Sequence, residues 1–157
     1  MKRSLDSQIA LTKYHSLREF CNQIAEGKLK TKAQFELLTL KDTVKFERYV
    51  KKYQLDEEVE RKLIAGHRKD LMCIYFALHR CHASTELSLV HHPIALSIYA
   101  KHHALGEAAQ MEMVRQKKME TAMKYIKRRA LCPKARDFFR SHAEKKLVRF
   151  YDHTYGC

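Results

Sequence analysis

The stretch YIKRRALCPKARDFF, residues 125–139, matches YAKHHALGEAAQMEM, residues 99–113, in the order of its parts: a tyrosine, a basic run, Ala-Leu, a turn-like residue and a second apolar stretch. The match extends along the chain, because Tyr49, Tyr75, Tyr99, Tyr125 and Tyr151 stand 26, 24, 26 and 26 residues apart. Other columns move with them. Three residues before each tyrosine stand Phe46, Met72, Leu96, Ala122 and Val148, and one after stand Val50, Phe76, Ala100, Ile126 and then Asp152, which alone breaks the apolar rule. Six after come Leu55, Cys81, Leu105 and Leu131; fourteen after come Leu63, Leu89, Met113 and Phe139. A degenerate earlier copy places Phe20, Gln23, Ile24, Leu29 and Leu37 at the same offsets, with glutamine in the tyrosine column.

Positions at minus 3, 0 and plus 1 share one face of a helix, and those near plus 10 and plus 14 form a second helical stripe. Each unit therefore reads as a helix pair, the first helix centred on the tyrosine and the second beginning near plus 7. Asp56 and Pro133 suit helix starts, Glu57 and Glu58 suit the positive end of the helix dipole, and Gly66 and Pro93 punctuate joints between units. With four Gly and two Pro in 157 residues, little turn chemistry is left for hairpins, and the expectation is all-α.

So short a helix pair cannot bury its apolar stripe alone, so neighbouring pairs should stack around one elongated core. The columns over residues 18–151 resemble the short-period bacterial helical repeats grouped with HEAT-like and leucine-rich-repeat-variant proteins. That resemblance implies an α-solenoid of stacked helix pairs in a right-handed superhelix. It divides a single domain into an N-terminal cap (1–17), repeats at about 18–43, 44–69, 70–93, 94–119 and 120–145, and a C-terminal cap (146–157), both caps being irregular in sequence. The bland alternative is an antiparallel bundle with accidental tyrosine spacing, against which the four further columns argue. The iron–sulfur cluster found beside some leucine-rich-repeat variants would need a cysteine cluster that this chain lacks.

The five cysteines (Cys21, Cys73, Cys81, Cys132, Cys157) are odd in number and include no CxxC pair. With no apolar leader at the N-terminus and no stretch near the ~18 apolar residues that span a bilayer, a soluble protein in a reducing, cytoplasmic setting is the expectation. Two imidazoles and a thiol fall close together in His79–His82, but no second ligand pair matches them, so no metal and no cofactor is expected. Enzyme motifs are absent. Some HEAT-like solenoids are DNA glycosylases, a likeness that usually involves Trp and a pocket acid. This chain has no Trp, and Asp70 and Glu112 read as exposed surface.

The formal charge is +13, and residues 113–150 concentrate it, with 13 Lys/Arg against three acids. The functional reading is a polyanion-contact end; the bland reading is a solvated, solubilising surface. Stacked units would align Lys51 and Lys52, His79, Lys101 to His103 and Lys127 to Arg129 in one ridge, and His67 to Lys69, His91 and His92, Gln116 to Lys118, Lys145 and Lys146 in another. The candidate contact residues are Lys101, Arg115, Lys117, Lys118, Lys127, Arg128 and Arg129. The favoured partner is an acidic protein surface, with sequence-tolerant nucleic-acid binding as the alternative; a membrane is not expected, and the oligomeric state is open. The tyrosine column could be taken for a base-stacking platform, but its apolar company assigns it to the core.

Overall fold

The computed structural model describes residues 3–156, and every regular element among them is a helix. In chain order these are α1 (Leu5–Tyr14), α2 (Leu17–Glu26), α3 (Thr31–Leu37), α4 (Val44–Val50), α5 (Glu57–Ala65), α6 (Lys69–Leu78), α7 (Ala83–Leu89), α8 (Pro93–Tyr99), α9 (Glu107–Arg115), α10 (Glu120–Ile126), α11 (Pro133–His142) and α12 (Lys145–Tyr155). The chain divides into two compact units, Met1–Cys81 and His82–Cys157.

In the first unit the odd helices pack in series, α1 on α3 and α3 on α5, and so do the even helices, α2 on α4 and α4 on α6. The second unit repeats the rule, with α7 on α9, α9 on α11 and α8 on α10. Every tyrosine of the column lies on an even helix, in α4, α6, α8, α10 and α12, and all five are buried. The apolar columns at plus 6 and plus 14 are buried as well, from Leu55 and Leu63 to Leu131 and Phe139. A tyrosine ring enclosed in this way cannot stack on a base.

Helices of seven to eleven residues are marginal alone, and most of these carry no side-chain N-cap. Their backbone is satisfied from the neighbouring helix pair instead, through three recurrent bonds. In the first, a tyrosine hydroxyl accepts from a loop amide twenty residues earlier: Tyr75 from Leu55 N (3.3 Å), Tyr125 from Leu105 N (3.2 Å) and Tyr151 from Leu131 N (3.0 Å). Burial pushes the Tyr75 phenol far above its ordinary pKa, and the Tyr125 phenol in the same direction, so both stay neutral.

The second bond comes from a buried Gln or Glu on α1, α3, α7 and α9, which accepts from the N-cap amide of the next odd helix. Gln8 takes Lys30 N (2.9 Å), Gln34 takes Asp56 N (2.9 Å) and Gln110 takes Cys132 N (2.7 Å). Gln34 and Gln110 also donate to the carbonyls of Leu29 and Leu105, so one amide side chain ties two loops. Glu86 is the acidic version, with Oε1 on Gly106 N and Oε2 accepting from the Tyr99 hydroxyl (2.8 Å). Here the spacing is twenty residues rather than 22. A Cβ at Gly106 would lie 3.1 Å from that carboxylate, which is why glycine suits the position.

The third bond is made by the residue four after Tyr49, Tyr75, Tyr125 and Tyr151, which reaches a carbonyl 29 residues back. Tyr53 donates to Ile24 O (2.6 Å), His79 Nε2 meets Val50 O (2.5 Å), Arg129 Nε donates to Ala100 O (2.7 Å), and Tyr155 donates to Ile126 O. Three unlike side chains do one job because each carries an N–H or O–H at the end of a reach of similar length.

Two points refine the sequence reading. The N-terminal cap, irregular in sequence, contains a regular element: α1 is a helix of ten residues, capped by Ser4, that packs on α3. Its Gln8 and Leu11 occupy the glutamine column and the plus-14 column, fifteen and twelve residues before Gln23 as Gln34 and Leu37 are before Tyr49, and a mostly polar surface hid that stripe from the sequence. The C-terminal cap also contains a helix, since α12 carries Tyr151; Met1, Lys2 and Cys157, which belong to the two caps, lie outside the described residues. Secondly, Asp56 holds the N-cap position of α5 but does not cap it. Its carboxylate turns back to Lys28 Nζ (2.6 Å), Thr31 Oγ1 (2.6 Å) and Gln34 Nε2 (3.0 Å).

Two outcomes follow. Tyr125→Phe strands the buried Leu105 amide and should cost about 1–3 kcal/mol. Tyr49→Phe should cost much less, because the Tyr49 hydroxyl faces Leu29 at the same offset without a hydrogen bond of ordinary geometry; urea denaturation of both variants checks the difference. Burial opposes ionisation of Asp56, but hydrogen bonds from Lys28, Thr31 and Gln34 outweigh it and hold the carboxyl below its ordinary value. A depressed folded-state pKa adds stability above the unfolded value that is lost as pH falls toward the folded one. Acid unfolding followed by circular dichroism should show Asp56→Asn losing less stability than the wild type between neutral pH and about pH 3.

Candidate functional site

The outward face of each even helix carries the positions one before and two and three after the tyrosine, because minus 3, 0 and plus 1 are turned inward. At α10 these are Lys124 and, just past the helix end, Lys127 and Arg128, the last two exposed. On the neighbouring α8, Lys101 and His102 hold the equivalent plus 2 and plus 3 places, both exposed. Between the two helices Lys124, Lys127 and Arg128 line an open hollow of about 380 Å³ with Ser97, whose hydroxyl accepts from Arg128 Nε (3.3 Å). Among the described residues none of these three cations has a carboxylate partner. Some other basic side chains of this unit are neutralised: Lys134 by Glu107 (3.3 Å), Arg136 by Asp137 (3.3 Å) and Arg140 by Asp152 (2.7 Å).

The structure brings only part of the predicted set together. Lys127 and Arg128 share the hollow, and Lys101 shares their face of the even helices. Arg115 ends α9, its guanidinium 5.8 Å from the centre of the Phe138 ring, while Lys117 and Lys118 are exposed in the turn that leads to α10, at the opposite end of that helix from the hollow. Arg129 is part-buried and committed to the Ala100 carbonyl, in the slot that Tyr53, His79 and Tyr155 fill in other pairs. Lys124 joins the hollow although the sequence did not single it out; its place one before the tyrosine was the available signal.

The second predicted ridge is likewise partly structural. Arg68 donates to the Leu40 carbonyl (2.6 Å) and pairs with Asp70 (2.8 Å), and Gln116 donates to the Val90 carbonyl (3.0 Å). The Asp70 carboxyl, hydrogen-bonded to Arg68, is held below its ordinary pKa. Among the described residues no group of three or more His, Cys, Asp or Glu is placed to hold a metal ion, and no helix is long and apolar enough to cross a membrane. Cys81 is buried with the other plus-6 residues, and the described cysteines are free thiols.

Scans against protein-family models, curated proteins and solved structures return no match to this chain.

Arg129→Ala should lower the melting temperature measurably, since it leaves a part-buried carbonyl without its donor. Lys127→Ala and Arg128→Ala should leave it within about 1 °C, as expected for exposed cations with no carboxylate partner; thermal denaturation of the three variants distinguishes framework from surface.

Proposed function

We propose that the protein is a non-catalytic helical-repeat scaffold of the short-period, HEAT-like kind, an α-solenoid wound right-handed, whose basic C-terminal face binds an acidic protein surface. The repeat architecture is supported by the same bonds recurring in both units at offsets of 20, 22 and 29 residues.

The choice of a protein partner rests on one observation: exposed apolar side chains stand on other even helices of the unit that carries Lys124, Lys127 and Arg128. Ile94, 50% exposed, lies one turn from Ser97 on the same face of α8, and Phe150, 39% exposed, holds on α12 the place that Lys124 holds on α10. The first unit also sets exposed apolar and basic side chains together, with Val44 and Arg48 on α4 and Leu78 at 46% on α6, while Lys51 just past α4 is paired with Glu47 (2.9 Å). Apolar side chains at such positions contribute to binding by leaving water, which a phosphate backbone does not reward, whereas the rim of a protein interface pairs them with complementary charge.

Fluorescence anisotropy tests this with three probes: a helical peptide alternating Glu and Leu, single-stranded RNA and duplex DNA. The peptide should bind, weaken between about 50 and 200 mM salt, and be lost in both Ile94→Asp and the triple variant Lys124→Ala, Lys127→Ala, Arg128→Ala. Tighter binding of RNA or DNA, insensitive to Ile94→Asp and abolished by the triple variant, would replace this reading with a nucleic-acid one.

A further inference from the structure

A hollow of about 310 Å³ opens in the first unit, where the ends of α3 and α5 meet the start of α6. Its wall is apolar, made by Phe35, Leu38, Leu63 and Leu71, the last two buried. The space goes with a glycine. In the second unit Gln116 stands seventeen residues after Tyr99 and donates to the Val90 carbonyl (3.0 Å). Gly66 holds the same place after Tyr49 and has no side chain, and Arg68 reaches the equivalent Leu38 carbonyl (3.4 Å) from two residues further along. A Cβ at Gly66 would lie 3.3 Å from the Lys62 carbonyl, so even the smallest side chain there crowds the backbone.

The polar groups at the mouth differ in what they have left to offer. Thr39 donates to the Glu36 carbonyl (2.8 Å). The Arg68 guanidinium is held by both Asp70 oxygens (3.0 and 2.8 Å) and by the Leu40 carbonyl (2.6 Å), which fixes it and neutralises its charge. Lys62 is exposed and, among the described residues, its ammonium makes no hydrogen bond or ion pair, not even with Glu58 one turn before it. The hollow therefore combines an apolar wall with one uncommitted cation at its rim. Apolar surface left to water is unfavourable in proportion to its area, so an apolar occupant is rewarded for covering it.

We propose that this hollow binds an amphipathic monocarboxylate the size of octanoate, with its hydrocarbon chain against the four apolar side chains and its carboxylate paired with Lys62. At the ~30 Å³ that a water-sized group occupies, a hollow of 310 Å³ accommodates about ten non-hydrogen atoms, as many as octanoate has. An uncharged chain leaves the ammonium unanswered, and an alkylammonium is opposed by it. A ligand polar throughout gives up its hydration to a wall that returns no hydrogen bond.

Isothermal titration of the full chain with octanoate, butyrate, octanol and octylammonium tests the proposal. Octanoate should bind with a Kd below about 1 mM, and the other three at least about fivefold more weakly. Lys62→Gln, which removes the charge and keeps most of the stem, should bring octanoate down to the affinity of octanol and leave octanol unchanged. Thr39→Phe, at an exposed position of the mouth, should abolish binding by filling the hollow. No octanoate binding at about 20 mM overturns the proposal, as does octanol binding as tightly as octanoate, or octanoate binding that Lys62→Gln and Thr39→Phe leave unchanged. If octanoate fails while a helical peptide alternating Glu and Leu binds the wild type and not Thr39→Phe, the hollow belongs to a partner's side chain and the proposal is overturned.

Discussion

The fold depends on how the backbone between paired helices is kept from being a liability. A loop that is packed inward carries N–H groups that water cannot reach, and each one left unpaired costs about 1–3 kcal/mol. Two consecutive amides, that of the residue before the N-cap and that of the N-cap itself, meet a tyrosine hydroxyl from one neighbouring helix and a glutamine or glutamate oxygen from another. The loop amides are therefore satisfied by tertiary contacts rather than by capping side chains of their own. Short helices and loops low in glycine follow from that arrangement, because neither the helices nor the loops have to be stable by themselves.

The same constraint explains why chemically different residues occupy one column. At the position four after the tyrosine, Tyr, His and Arg each deliver a donor to a carbonyl 29 residues earlier. A cation recruited in this way is subtracted from the surface charge that a partner can use, so the 13 basic residues of the C-terminal segment overstate its binding capacity. Lys124, Lys127 and Arg128, which have no carboxylate partner, gather at one hollow in a unit whose helices α8 and α12 carry the exposed Ile94 and Phe150.

The all-α class, the helix positions and the burial of the tyrosine, plus-6 and plus-14 columns were legible in the sequence, since apolar side chains at fixed offsets have only one economical explanation. The polar columns were not. Gln8, Gln34, Glu60, Glu86 and Gln110 are all buried, but polar residues on an amphipathic helix read as solvent-facing until a loop amide is seen against them. Arg129 reads as a contact cation because it continues the basic run of Lys127 and Arg128, but the four-residue step from Tyr125 turns it back toward Ala100. Helix α1 was missed for a related reason: its contribution to the core rests on Gln8, Leu11 and Thr12, two of which are polar.

Native-state hydrogen exchange of the loop amides tests the central claim most directly. Leu55, Asp56, Leu105, Gly106, Leu131 and Cys132 lie outside every helix, yet each of their amides is donated to a side chain of a neighbouring helix. The account predicts that they exchange as slowly as amides in the middle of the helices around them, with protection on the scale of global unfolding. Exchange at the rates of open, solvated loops would show that the side-chain ladder does not hold the repeats together.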